Sequence, residues 1–228
     1  DLSRPGYLEA DSVAHCGTSL AGDFIWSLTY TDILSGWTEG GAVWNKGAAG
    51  VLGATREVEE RLPFALLGFD SDNGGEFLNH HLWSYMRQRE VAVEFTRSRP
   101  YHSDDNAHVE QKNWTWARQL LGYDRLEDPE LVAPISALYR EVWAPWQNFF
   151  LPCLKLKKKW REGSHWRKQY ELPKTAYHRL CAPGMLALKE RRALRDRYEG
   201  LDPFALKDEL ETRLKQILKP KPSGVNLA

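Results

Sequence analysis

The sequence predicts an α/β domain, a mixed sheet of five strands flanked by helices, with a basic and mostly helical C-terminal extension. Two observations carry this. Short runs rich in β-branched and aromatic residues alternate with helix-period segments through the first half of the chain, as an α/β domain requires. The charge also divides: residues 1–150 hold 12 Lys and Arg against 22 Asp and Glu, a net −10, whereas residues 151–228 hold 19 against 9, a net +10. A neutral total thus conceals an acidic core followed by a basic tail, a distribution suited to a nucleic-acid partner or to a solvated helical surface.

A first strand is expected at Leu8–Ala14 and a second at Phe24–Thr31, where Ile25, Trp26, Leu28 and Tyr30 suit a pleated surface. A third runs through Trp37–Val43 after the turn at Ser35-Gly36, and such short links favour an antiparallel meander. A helix from Gly47 to Leu62, with Val51, Leu52, Val58 and Leu62 near one face, ends at Pro63. The strand Ala65–Phe69, the helix Leu78–Arg89 and the strand Val91–Phe95 complete a βαβ crossover. Further helices are expected from Glu110 to Gly122, from Pro129 to Phe150, and twice near the C-terminus. There Asp202-Pro203 supplies an N-cap and a first-turn proline, and Leu206, Leu210, Leu214 and Ile217 form a stripe suited to packing or to assembly of a multimer. The domain division is therefore 1–150 for the core, 151–185 for a basic loop-rich segment or small subdomain, 186–219 for the C-terminal helices and 220–228 for a Lys-Pro-rich disordered tail.

With 228 residues, 42% hydrophobic and 27% charged, the chain suits a soluble globular core with an appendage. No apolar stretch approaches the roughly 20 residues that span a bilayer, so no membrane partner is expected. The sequence opens at Asp1 without Met or a signal peptide, which suggests a fragment. Cys16, Cys153 and Cys181 form no CxxC pair, which argues for a reducing cytoplasm and for thiols that act as buried small hydrophobes. His15, His80, His81, His102 and His108 lack cysteines at zinc-finger spacing.

Three carboxylates stand out. Asp11 lies within the first strand, Asp72 ends an apolar run directly before the Asn73-Gly74-Gly75 turn, and Glu110 opens a helix after a polar loop. Carboxylates on neighbouring strand ends and an adjacent helix can converge, and their repulsion is relieved by cations between them. Asp70 competes for the ligand role, because strand residues two apart share a face.

The segment Ser71-Asp72-Asn73-Gly74-Gly75-Glu76-Phe77 resembles the signature around the second catalytic Asp of retroviral-type integrases and their transposase relatives. Residues 98–110, from Ser98-Arg99-Pro100-Tyr101 to Asn106-Ala107-His108-Val109-Glu110, resemble the segment that ends in their catalytic Glu. Gly6–His15 is similar to the strand bearing the first Asp in bacterial insertion-sequence transposases, and Gln147–Pro152 resembles an Asn…Pro element that closes many transposase cores. Ala107 stands where many relatives carry Gly, and Asp70 where many carry Arg or His. The resemblance covers residues 6–125 well and continues more weakly to 182.

This resemblance implies a ribonuclease-H-like fold and a DNA transposase or integrase core, cytoplasmic and nucleoid-associated in a bacterium. It implies Mg²⁺, with Mn²⁺ as substitute, held by Asp11, Asp72 and Glu110, and a homo-oligomer on element-end and target DNA. Asp70, Asn73 and Glu76 would support those ligands. Arg97, Arg99, Lys112 and Arg118 around Glu110, and Lys155, Lys157, Lys158, Lys159, Arg161, Arg167 and Lys168 in the tail, are candidate DNA contacts. His102 and His108 flank the loop, and Trp114 and Trp116 are core residues or base-stacking platforms. The alternatives are a ribonuclease-H-like nuclease that cleaves without joining, and an inactive DNA-binding transposase remnant.

Overall fold

The computed structural model describes residues 3–71, 80–90, 93–97 and 114–218. Five strands, β1 (Tyr7–Ala14), β2 (Ile25–Asp32), β3 (Thr38–Trp44), β4 (Gly68–Ser71) and β5 (Glu94–Arg97), form one sheet in the order β3-β2-β1-β4-β5. β1, β2 and β3 are antiparallel, and β4 and β5 run parallel to β1. With helices packed on it, this mixed sheet is the ribonuclease-H-like fold.

The origin of β1 is fixed at Gly6. Its N–H donates to Asp32 Oδ1 (2.8 Å), and its carbonyl accepts from Leu67 N–H (2.8 Å) and Gly68 N–H (3.1 Å). Gly6 holds φ at 122°, and a Cβ there would stand 2.4 Å from the Ala65 carbonyl oxygen, so only glycine fits. The buried Asp32 also accepts from Ser35 N–H (2.7 Å) and Ser35 Oγ (2.6 Å). Burial pushes its carboxyl pKa up, while these bonds and the Lys155 charge oppose that rise. One carboxylate therefore ties the start of β1 to the β2–β3 turn.

Side chains alternate across the sheet into two cores. Leu8, Ala10, Leu28, Tyr30 and Phe69 meet Val51 and Val58 of α1 (Ala48–Arg61) and Leu82 and Met86 of α2 (His80–Arg87). Val13, Ile25 and Ala42, on the opposite face, meet two helical runs. The first, α3, comprises Trp114–Arg118 continuing as Gln119–Leu121; the second, α4, runs through 129–150. Both include wide π-type turns.

Strand β3 is a sheet edge, and its outward backbone groups are capped by side chains rather than by another strand. Thr38 N–H donates to Asn148 Oδ1 (2.8 Å), and Asn148 Nδ2 donates to Thr38 O (2.7 Å). Arg61 Nη2 donates to Gly40 O (3.1 Å), and Ser136 Oγ accepts from Ala42 N–H (3.0 Å). The Asn of the Asn…Pro element thus seals an edge.

Several expectations are corrected. β4 begins at Gly68 rather than Ala65, because Leu67 and Gly68 both donate to Gly6 and set the parallel register; β5 shifts to Glu94–Arg97 with it. Of the two alternatives for residues 151–185, a loop-rich segment or a small subdomain, the described structure has an antiparallel hairpin, β6 (Leu156–Glu162) and β7 (His165–Tyr170), and α5 (Ala176–Leu180). The three cysteines are half-buried rather than fully enclosed. α6 (Leu188–Glu199) and α7 (Pro203–Ile217) follow, with Asp202 Oδ1 accepting from Phe204 and Ala205 N–H. Leu210 and Ile217 are buried against the second core with Leu206 and Leu214 packed beside them, so that stripe is covered by its own chain rather than left open for a second copy. The 220–228 tail lies outside the described residues.

Replacing Asn148 with Ala orphans a buried N–H and C=O, each worth about 1–3 kcal/mol. Urea unfolding should show a loss of about 2–5 kcal/mol. Gly6→Ala should cost at least about 2 kcal/mol, whereas Gly122→Ala, where φ is 77° but the space is open, should cost about 1 kcal/mol. Equal losses at the two glycines would contradict the clash with Ala65.

Candidate active site

β1 is the central strand, and its alternation decides what Asp11 faces. Leu8 and Ala10 belong to the first core and Val13 to the second, so Glu9 and Asp11 share the face covered by α3 and α4. Glu9 is the register partner of Asp70 in β4 and of Thr31 in β2, and Asp70 is the partner of Thr96 in β5. Glu9, Asp11 and Asp70 therefore stand on one face, and Ala10 pairs with Ser71, the last described residue before Asp72.

Asp11 is half-buried, and its Oδ1 accepts from the Ser12 N–H (2.6 Å). Asp70 Oδ1 accepts from Thr96 Oγ1 (2.7 Å), which orients that carboxylate toward β5. Glu9 is buried to 4% exposure and was not singled out in the sequence, where it reads as a polar strand residue; only the register shows it one step from Asp70 on the Asp11 face.

Of the other candidates, Asp72, Asn73, Glu76, Arg99, Glu110 and Lys112 lie outside the described residues, as do His102 and His108; so does the side chain of Arg97, whose backbone pairs with Ser71. Among the described residues no three His, Cys, Asp or Glu converge as a metal site. Asp11 nevertheless suits a hard divalent ion, being an oxygen donor half open to solvent.

Beyond Asp11, β1 leads into a buried polar chain. His15 Nε2 lies 2.7 Å from Ser27 Oγ, which lies 2.7 Å from Tyr139 Oη. His15 Nδ1 has no hydrogen-bond partner among the described residues. Burial, and secondarily the Arg118 guanidinium, push its pKa down to about 4, so the ring is neutral at pH 7. Arg118 is half-buried with its guanidinium over the Tyr123 ring (5.1 Å). Trp116 is fully buried and Trp114 exposed, which leaves only Trp114 placed to meet a partner.

Lys155, a candidate DNA contact, is half-buried. Its Nζ donates to Ile33 O (2.9 Å) and Leu34 O, and burial, then the Arg179 charge, lower its pKa. It lines a cavity of about 320 Å³ with Asp32, Thr115, Gln119, Cys153 and Arg179, near the start of β1 rather than at Asp11. Lys157, Lys158, Lys159, Arg161, Arg167 and Lys168 are all exposed.

No family model matches the sequence. An uncharacterized protein of Sinorhizobium fredii, y4rM, is 40% identical over 169 residues, covering 74% of this chain and 47% of that protein. The chain thus spans about half the length of the curated relative it matches. Similar solved structures include a chain of a simian T-cell lymphotropic virus intasome, at 15% identity and TM-score 0.43 over 52% of this chain and 40% of that one. The HTLV-2 integrase catalytic core domain in complex with magnesium gives 15% and 0.41 over 52% and 71%. The BIV integrase catalytic core gives 17% and 0.40 over 60% and 84%.

The His15 shift has a defined pH signature. An unfolded His titrates near 6.5, so between about pH 6.5 and 4 the unfolded chain binds a proton that the native chain refuses. His15 therefore contributes stability that is complete above pH 6.5 and is lost as pH falls toward 4. The stability difference between the native chain and His15→Gln should narrow by about 3 kcal/mol from pH 7 to pH 4. A difference independent of pH would contradict the lowered pKa, because it would mean that His15 binds its proton equally in the folded and unfolded chain.

Proposed function

We propose that this chain is the catalytic core of a metal-dependent polynucleotidyl transferase, a DNA transposase of the integrase kind from a bacterial insertion sequence. The observation that carries the reading is the pairing of Ala10 with Ser71, which sets the Asp11 strand beside the start of the Ser71-Asp72-Asn73-Gly74-Gly75-Glu76-Phe77 signature. Phe69 faces the first core and Asp70 the second, so one more pair of alternating residues would bring Asp72 to the face of Asp11. α3, whose described residues begin four positions after Glu110, packs on that same face.

In this reading Asp11, Asp72 and Glu110 hold Mg²⁺, with Mn²⁺ able to replace it. Bound divalent ions would supply Lewis acidity to the attacking oxygen and charge stabilisation to the leaving 3′ oxygen. The protein's own contribution is to fix its carboxylates before the substrate arrives: Asp11 through the central strand and the Ser12 N–H, Asp70 through Thr96. Water attacks a phosphodiester and takes the place of the 3′ oxygen, which leaves as a hydroxyl; that hydroxyl then attacks a target phosphodiester and displaces its 3′ oxygen. No covalent bond to the protein forms. The chain works as a homo-oligomer on DNA in the bacterial cytoplasm. No helix among the described residues is long and apolar enough to cross a membrane.

Nicking of supercoiled plasmid in Mg²⁺ and in Mn²⁺ tests this. The native chain should nick with either ion and stop in EDTA. Asp11→Asn, Asp72→Asn and Glu110→Gln should each abolish nicking while duplex binding persists. Asp70→Asn should reduce it by about 10–100-fold, as expected of a group that orients a ligand. An active Asp72→Asn beside a dead Asp70→Asn would transfer the ligand role to Asp70. Nicking without joining of a labelled 3′-OH strand would favour a plain nuclease, and an inert native chain would favour a remnant.

A further inference from the structure

The basic stretch after the core is a two-stranded ribbon with cations on both faces. β6 and β7 are joined at Gly163-Ser164, where Gly163 takes the φ of 61° that a tight hairpin turn needs. Every residue of both strands is exposed, and none belongs to either core. Such an isolated hairpin gains little from its own burial. Its sequence is therefore explained poorly by core packing.

The register sorts the side chains. Lys159 pairs with Lys168 and Arg161 with Trp166, which puts these four on one face. Lys158 pairs with Gln169 and Trp160 with Arg167, which puts these on the other; Lys157 sits in the irregularity between Leu156 and Lys158. Each face carries one tryptophan with a lysine near it: Lys159 Nζ is 4.8 Å from the Trp166 ring and Lys158 Nζ 5.7 Å from the Trp160 ring. Lys159 opposite Lys168 is a like-charge cross-strand pair that disfavours the hairpin by itself. Glu162, bonded to Arg167 (2.8 Å), is the ribbon's one carboxylate against six Lys and Arg.

We propose that this ribbon stands on edge in the major groove of duplex DNA, each cationic face turned to one phosphate wall. The inference rests on the transferase reading for its choice of DNA as partner. The dimensions agree: a sheet layer with its side chains is about 10 Å thick, and the groove is about 12 Å wide and 8.5 Å deep. A flat polyanionic surface would engage one face and leave the other cations idle. A groove has two rims, and a two-sided charge distribution matches both. Phosphates on both sides also relieve the Lys159–Lys168 repulsion, so the ribbon is stiffened by the partner that it holds. The ribbon grips phosphates, which position the duplex without reading its sequence. Trp160 and Trp166 support the lysine stems rather than stack on bases.

The test measures binding by the whole chain in EDTA, so that loss of catalysis cannot be mistaken for loss of the ribbon. Probes are a random duplex, its single strand, and the same duplex with glucosylated 5-hydroxymethylcytosine, which fills the major groove. Two charge-reversal variants are compared, Lys159→Glu with Lys168→Glu for one face and Lys158→Glu with Arg167→Glu for the other. Each should flatten the log–log salt dependence by about 0.9 for every phosphate that is no longer neutralised, with the thermal transition of the core unchanged. Glucosylation should weaken the native chain to the level of the variants. The proposal is overturned if only one face matters, if glucosylation has no effect, or if neither reversal changes the slope. It is also overturned if the single strand binds as tightly as the duplex and Trp160→Ala with Trp166→Ala removes that binding. A native chain that binds the duplex through its ribbon yet fails to nick plasmid in Mg²⁺ would instead count against the transferase reading alone.

Discussion

Everything on the sheet is measured from the buried carboxylate of Asp32. It accepts from the Gly6 N–H at the entry to β1 and from Ser35 in the turn that leaves β2. An Asp enclosed in this way is costly unless its oxygens are satisfied, and here three donors meet it. Because Gly6 also receives Leu67 and Gly68 through its carbonyl, the same few atoms set the parallel register of β4 on β1. A slip of one residue would exchange the two faces of β1 and turn Asp11 and Glu9 into the aliphatic core beneath α1. The position of the candidate catalytic carboxylate is thus a consequence of a hydrogen-bonding arrangement at the opposite end of its strand.

The edge strand shows a second constraint. β3 could template another strand, yet Asn148, Arg61 and Ser136 occupy its outward groups. Two of these caps come from α4, so the helical run that packs the second face also closes the sheet's exposed border. Gly40 belongs to the same solution: a Cβ there would stand 2.5 Å from Trp116 Nε1, and its absence lets the indole lie against β3. Trp116 then stacks on Tyr139 (5.8 Å between rings) and accepts, through its carbonyl, the Trp143 indole N–H (3.0 Å). α3, which follows Glu110, is held to the sheet by this aromatic layer.

The two halves of the chain carry opposite net charge, and some of their charges meet, as Arg213 does Glu141 (2.7 Å). Glu9, Asp11 and Asp70 of the acidic half share one sheet face, and such a face repels a polyanion unless cations intervene. The basic excess is partly displayed on the ribbon and partly drawn into structure, as Lys155 and Arg179 illustrate. Arg179 Nη2 donates to Cys153 O (2.7 Å), and Lys155 caps the carbonyls of Ile33 and Leu34. Cations adjacent in a sequence therefore differ in role according to whether an orphan carbonyl lies within reach.

The sequence alone determined the order of strands and helices in the five-stranded sheet domain and the Asp202 helix cap. Alternation, turn residues and the Asp202-Pro203 N-cap are local signals, and Ser71–Phe77 resembles an integrase signature, although Asp72 and Glu110 lie outside the described residues. Tertiary structure alone decided the boundaries of β4 and β5, because the register with Gly6 and not local propensity sets where pairing begins. It decided that Leu206–Ile217 is covered by its own chain, that Lys155 donates to the carbonyls of Ile33 and Leu34, and that Glu9 is a buried neighbour of Asp70. It also made the basic segment, expected as a loop-rich stretch or a small subdomain, a two-faced hairpin. Charge clusters read the same in a loop and in a strand; which face each cation takes depends on pairing with residues that the local pattern does not specify.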